Sequence, residues 1–237
     1  MRFYTYAQEF EDLVLYVVLR NINKVFYIDV GANDPTHLSV TRAFYERGGN
    51  GINIEPLRDK CRLLEEERVR DINLCIGAGE QEGELEFVCA GTGSTFSKEI
   101  AEEGDFGHCA RHNKKVLTLT QIYQQYCSEK QEVHFCKIDV EGFEREVLKG
   151  CDFNIFRPWI FLVEAAKPGT NILCYEKWEG ILLSNDYILA YSKGINRYYV
   201  DRRKEYLIEY FANVESFIYE NEIIEMQMYE IKESFKR

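Results

Sequence analysis

Five short runs, "VFYIDV", "GINIEP", "INLCIGA", "VHFCKIDV" and "WIFLVEA", are apolar at nearly every position, and each closes on or beside an acid or a glycine. A strand with one wet face alternates apolar and polar residues, so an unbroken apolar run belongs to a strand covered on both faces. Between the runs lie segments with helical spacing: "SVTRAFYERG", "RDKCRLLEEER", "FEREVLKG" and "CYEKWEGILLSN". That alternation predicts an α/β fold of parallel strands joined by right-handed crossover helices. "YILAYS" and "RYYV" flank the short turn "KGIN" and must pair antiparallel, which predicts a mostly parallel sheet finished by a C-terminal hairpin at one edge.

The remaining segments fit around that sheet. Phe10, Leu13, Val14, Val17 and Val18 recur at helical spacing, so an amphipathic helix is predicted over about 8–20. "GELEFVCA" reads as an excursion strand, and "VLTLTQIYQQYC" as a strand or turn entering a helix. Beyond Asp201, apolar positions at Phe217, Ile218, Ile224, Met228 and Ile231 predict a helical tail over about 203–237, packed back on the domain or used as an oligomer contact. With 237 residues and no repeat or Pro/Gly/Ser linker, one domain over 1–237 is expected.

Charge and cysteines narrow the partners. The formal net charge of −11 repels polyanions, which argues against nucleic acid. Eight cysteines at irregular intervals, with no C-x-x-C pair, read as thiols of a reducing cytoplasm rather than disulfides or zinc ligands. His108 and His112 form one helical-spaced pair without a third ligand nearby, so zinc is not expected. The apolar part of the N-terminus is too short to span a bilayer, and a soluble cytoplasmic protein is the expectation.

In an open parallel sheet the ligand sits beyond the C-terminal strand ends, at the point where strand order reverses. Those ends are acidic here. The first supplies Asp29, Gly31, Asn33 and Asp34, the second Glu55, "KIDVEG" Asp139 and Glu141, and "FLVEA" Glu164. Glu55, 24 positions after Gly31, is placed to accept hydrogen bonds from a ribose diol, a feature shared by nicotinamide and S-adenosylmethionine sites. The loop "VGANDP" separates the two. A pyrophosphate needs G-x-G-x-x-G, whereas Asn33 replaces the second glycine, Asp34 adds negative charge and Pro35 removes a donor. A cationic cofactor such as S-adenosylmethionine suits the acids.

The blocks "YIDVGANDP", "SVTRAFYERGGNGINIEP", "GSTFS", "KIDVEGFEREVLKG", "RPWIFLVEAAKP", "WEGILLSNDY" and "GINRYYV" resemble, in order, those of the FkbM-type methyltransferases, from about Tyr6 to Phe211. The resemblance implies a Rossmann-like seven-stranded methyltransferase fold and S-adenosylmethionine-dependent O-methyl transfer. It also implies an acceptor hydroxyl on a sugar or glycan, nucleotide-linked or lipid-linked among the options. The family's opening "SQ-x-GED" stands here as "AQEFED", with Gln8, Glu9 and Asp12 recognisable, and Gly48-Gly49 stands where the family often has Gly-Trp.

Carried over, Gly31, Asn33 and Asp34 would line the methionine end of the cofactor, Glu55 the ribose, and Gly77 and Ala78 the adenine, with Gln8 and Asp29 also among the cofactor contacts. Ser94 and Thr95 would close over it. Methyl transfer to a hydroxyl needs alignment and removal of a proton, and Asp139 and Glu141 are the candidate bases, Asp139 alternatively a cofactor ligand. Glu164, His37, Asn196 and Arg197 are candidate acceptor contacts. A divalent metal on Asp139, Glu141 and Glu164 stays open. Two other readings also stand: an NAD-dependent oxidoreductase, and a non-catalytic cofactor-binding or assembly module with the same fold.

Overall fold

The computed structural model describes residues 1–104 and 108–226. The chain begins with β1 (Arg2–Thr5) and α1 (Glu11–Val18), then runs through β2 (Phe26–Val30), α2 (Arg42–Glu46), β3 (Asn50–Ile54), α3 (Arg58–Glu67) and β4 (Ile72–Leu74). An excursion follows: β5 (Gly77–Ala78), β6 (Gly83–Cys89), α4 (Lys98–Glu103) and β7 (Ala110–Leu117). After α5 (Leu119–Tyr126) come β8 (Phe135–Ile138), α6 (Glu144–Lys149), β9 (Ile160–Glu164), α7 (Glu179–Ser184), β10 (Tyr187–Lys193) and β11 (Asn196–Asp201). The described chain closes with α8 (Ile208–Phe211), α9 (Val214–Glu220) and β12 (Glu222–Glu225).

Seven strands form the large sheet in the order β10-β11-β9-β8-β2-β3-β4. Five of them, β9, β8, β2, β3 and β4, run parallel, and β11 pairs antiparallel with both β9 and β10. The expectation of a mixed α/β fold around a mostly parallel sheet is met. The unbroken apolar runs have the predicted cause. Tyr27, Phe135, Ile160 and Leu162 enter one core with α1, whereas their neighbours Ile28, Cys136 and Phe161 enter the opposite core with α5 and α6. Strand order reverses between β8 and β2, so their C-terminal ends open the crevice where a ligand is expected.

Three local expectations differ. The first helix starts at Glu11, because Phe10 ahead of it holds a left-handed φ of 66° that no helix interior adopts. The tail is helical in short pieces up to Glu220, but Glu222–Glu225 form a strand parallel to β1. Its apolar pair Ile223 and Ile224 suits either conformation, and only the distant partner "RFYT" decides. Met228 and Ile231 lie outside the described residues. "INLCIGA" splits: β4 stays in the large sheet while β5 joins β7 and β6 in a small three-stranded sheet. His108 and His112 are not a helical pair, since His112 lies in β7 and His108 in the turn before it.

Candidate active site

At the end of β2 the chain turns at Gly31, with φ of 78°. A Cβ there would stand 1.9 Å from the carbonyl oxygen of Asp139, so only glycine lets this loop lie against the end of β8. Asn33 follows in the left-handed region that asparagine tolerates, at φ 51°. Its backbone N–H donates to Glu55 Oε2 at 2.8 Å, and the Leu57 N–H donates to Glu55 Oε1 at 2.7 Å. Glu55 therefore closes β3 with both carboxylate oxygens oriented and one further lone pair free on each. Burial pushes its carboxyl above the usual range.

Lys137 and Asp139 sit two residues apart at the end of β8, on the same side of the strand. The Lys137 ammonium donates to the Gly31 carbonyl at 2.9 Å and pairs with Asp29 and Asp139, both at 3.3 Å. Burial alone would lower its pKa, but Asp139 and then Asp29 outweigh that and hold it well above the ordinary lysine value. Asp29 lies beneath the pocket floor and accepts from Thr41 Oγ1 at 3.2 Å.

After Asp139 the backbone passes through two successive left-handed residues, Glu141 at φ 54° and Gly142 at φ 89°. A glutamate in that region is a strained position of the kind that clusters at functional sites. The turn is pinned by Thr95 Oγ1 donating to the Glu141 carbonyl at 2.8 Å, and by the Val140 and Gly142 N–H groups donating to Glu144 Oε1 at 3.2 and 3.1 Å. Burial, then Asp139 and Glu144, pushes the Glu141 carboxyl up to about 8. Burial raises buried Glu144 to about 7. Glu164 is raised by burial and by Asp139 and Glu141, and its Oε2 is buried without a hydrogen-bond partner among the described residues. Carboxylate oxygens of Asp139, Glu141 and Glu164 lie within 4.8 Å of one another, a set able to hold a divalent cation. Three carboxylates so close cannot all ionise, so a proton or a cation belongs among them.

The fourth wall comes from the N-terminus. Asn196 stands opposite Glu164 in the β9–β11 pairing, and its Nδ2 donates to Glu11 Oε1 at 2.8 Å. Glu9 Oε2 accepts from the Ile195 N–H at 3.2 Å. Gln8 and Glu11 are thereby held over the crevice, with Phe10 taking its left-handed conformation where the "SQ-x-GED" pattern has glycine, and the Lys193 ammonium 4.5 Å from its ring centre. Burial raises Glu11 to about 7.

One pocket gathers most of the predicted residues: Gln8, Gly31, Asn33, Glu55, Gly77, Ala78, Ser94, Asp139, Glu141, Glu164 and Asn196 all line it. Five predicted residues lie elsewhere. Asp34 accepts from the Thr36 and His37 N–H groups at 3.0 and 2.9 Å and pairs with Lys60 at 3.1 Å, contacts that hold its own loop. His37 is exposed on that same loop. Asp29 and Thr95 act beneath the lining, and the Arg197 guanidinium stacks 3.3 Å over the Tyr175 ring and pairs with Glu179. Sequence reasoning missed Glu11, Lys137 and Phe96 among the lining. Lys137 had a signal, its period-two spacing from Asp139; Phe96 had none, because it enters against Gly77, where any Cβ would lie 2.5 Å from its ring.

Among described residues the lining carries the carboxylates of Glu11, Glu55, Asp139, Glu141 and Glu164 against the single ammonium of Lys137. Carboxyl oxygens accept hydrogen bonds, so the lining suits a ligand with vicinal hydroxyls. A family model described as the methyltransferase FkbM domain matches residues 29–218. Among curated proteins, none matches the chain significantly.

Proposed function

This chain belongs to the FkbM methyltransferase family, and on that premise we propose that it is an S-adenosylmethionine-dependent O-methyltransferase acting on a sugar hydroxyl. The reading takes 1–237 as a single Rossmann-like methyltransferase domain, with the N-terminal segment completing the pocket. The observation that carries it is Glu55: a carboxylate closing the strand beside the glycine loop, both oxygens preset by backbone donors, in a pocket lined by five carboxyl groups and one ammonium. The sugar class rests on the resemblance of the sequence blocks. Among described residues no helix is long and apolar enough to cross a membrane, and the free cysteines suit a reducing cytoplasm.

S-adenosylmethionine, when bound, supplies an electrophilic methyl group on a sulfonium. Glu55 would accept from the two ribose hydroxyls, Gly31, Asn33, Gln8 and Asp139 would border the methionine end, and Gly77, Ala78 and Ser94 would border the base. Lys137 pairs with Asp139 at 3.3 Å and ties it to the Gly31 carbonyl. Glu141, whose carboxyl is pushed up to about 8, would in its ionised form take the acceptor's proton as the new carbon–oxygen bond forms and the methyl–sulfur bond breaks, the electron pair leaving on the thioether of S-adenosylhomocysteine. Asn196 and Glu164 orient the acceptor hydroxyl. The test is methyl transfer from labelled cofactor to free, nucleotide-linked and lipid-linked sugars. Base-stable labelled ether supports the proposal; cofactor binding with no product on any acceptor, alongside a stable complex with another protein, would favour the assembly module.

A further inference from the structure

The segment from Ser94 to Phe96 bridges the wall of the acidic pocket and the turn that carries Glu141. It is extended: Thr95 pairs with Val88 of β6 through backbone hydrogen bonds at 3.0 and 3.1 Å, and Ser94 ahead of it has β-region angles. Alternate side chains of an extended segment point to opposite sides. Ser94 and Phe96 accordingly line the pocket, while Thr95 turns away from it and is only 1% exposed.

The Thr95 hydroxyl has a defined direction. It accepts from the Ser97 N–H at 2.9 Å, a group that can only donate, and donates to the Glu141 carbonyl at 2.8 Å, a group that can only accept. That carbonyl lies 46 positions along the chain, on a residue whose left-handed φ of 54° must be held by its surroundings. Other contacts brace the same turn. Glu144 Oε1 accepts from the Val140 and Gly142 N–H groups, but Glu144 stands at the start of α6, within the segment it braces. Ile100 of α4 closes against Gly142, where a Cβ would lie 2.7 Å from it. Packing against Ile100 confines the turn without orienting it, whereas a hydrogen bond to the carbonyl sets the peptide plane after Glu141, and so the backbone from which its carboxyl enters the pocket.

We propose that Thr95 is a positioning residue that links cofactor occupancy to the Glu141 turn: a ligand seated against Ser94 and Phe96 firms the segment between them, and the Thr95 hydroxyl passes that restraint to the Glu141 backbone. The inference rests on the acidic pocket being the cofactor site and on Glu141 taking the acceptor's proton. It gives Thr95 no contact with the cofactor itself. The base is then fixed in place when the methyl donor is present, which is when alignment with an acceptor hydroxyl matters.

The experiment is hydrogen exchange of the full chain, read over 138–144 with and without S-adenosylhomocysteine, for wild type, Thr95→Val, Thr95→Ala and Thr95→Ser. Valine keeps the shape and alanine relieves any crowding, both without the hydroxyl; serine keeps it. In wild type, S-adenosylhomocysteine is expected to slow exchange at Val140 and Gly142 by about tenfold. In Thr95→Val and Thr95→Ala, exchange without ligand should be about threefold to tenfold faster and the slowing by ligand largely lost, while calorimetry still finds S-adenosylhomocysteine bound within about threefold of the wild-type affinity. Thr95→Ser should behave as wild type. In the methyl-transfer assay, Thr95→Val should lower kcat by about tenfold with the cofactor KM near wild type. Slowing of equal size in Thr95→Val or Thr95→Ala would mean that the ligand reaches the turn directly, and would overturn the link. Exchange at these amides indifferent to S-adenosylhomocysteine in wild type would overturn it too, as would a Thr95→Ser variant as impaired as Thr95→Val. Failure of S-adenosylhomocysteine to bind the wild-type chain would instead sink the cofactor reading, and this inference with it.

Discussion

The backbone N–H of Asn33 donates to Glu55 Oε2 at 2.8 Å, which makes the loop after β2 and the residue closing β3 one unit. Glu55 thus shapes the pocket, and in its proposed role its remaining lone pairs accept from a diol. Glutamine keeps a single acceptor oxygen and turns an NH₂ toward a backbone N–H. Both Glu55→Gln and Glu55→Ala should raise the cofactor Kd at least tenfold, with kcat at saturation much less affected. A Glu55→Gln variant with wild-type affinity would remove the residue from the cofactor site.

Glu141 is protonated in much of the population at pH 7, because its carboxyl is pushed up to about 8. Activity that needs its carboxylate should rise with pH, and kcat/KM, which reports the free enzyme, should climb through about pH 8. Glu141→Gln should lower kcat by about 10²-fold to 10⁴-fold and abolish that limb. Retained activity would move the base to Asp139 or Glu164. Direct proton transfer also predicts insensitivity to chelators; loss with chelator and recovery with magnesium would make the Asp139, Glu141 and Glu164 cluster a metal site instead.

Stability should fall as pH rises above 5. Glu11 and Glu144 at about 7 and Asp12 at about 6 are raised by burial, so the folded chain holds protons that the unfolded chain has already released. Their stabilisation is complete below the unfolded carboxyl range and is lost as pH climbs through 6 to 7. Tm should be higher at pH 5.5 than at pH 8. Glu11→Gln, which mimics the neutral form, should shrink the difference, and a Tm that rises across this interval would contradict the account.

Arg68, fully buried, holds the loop that walls the pocket: it donates to the Pro35 carbonyl at 3.0 Å, Ser39 Oγ at 2.9 Å and Thr41 Oγ1 at 2.8 Å, and stands 3.6 Å from Asp71. Arg68→Met leaves Asp71 buried without its counter-ion and should cost about 3–5 kcal/mol in urea unfolding. Cofactor affinity should fall too, since Leu38 and Val40 on that loop line the pocket. A loss below 1 kcal/mol would mean the network is dispensable.

The parallel strands were legible because burial on both faces leaves a mark on every residue of a run, and the acids at strand ends located the crevice. Asp34 lies outside the pocket lining for a physical reason: a carboxylate two residues ahead of free N–H groups is engaged by its own loop. Glu11 and Asn196 meet across 185 positions, and β1 meets β12 across more than 200; nothing local records such pairings. The bend at Phe10 was hidden because aromatic residues seldom occupy left-handed backbone, and only tertiary contacts hold it there.

The acidic pocket should bind an adenosyl cofactor that lacks a pyrophosphate. Calorimetry with S-adenosylhomocysteine and NAD against the wild-type chain and Glu55→Ala tests it most directly. The account predicts saturable binding of one S-adenosylhomocysteine per chain, weakened at least tenfold by the substitution, and no heat from NAD. Saturable NAD binding with no response to S-adenosylhomocysteine would contradict it.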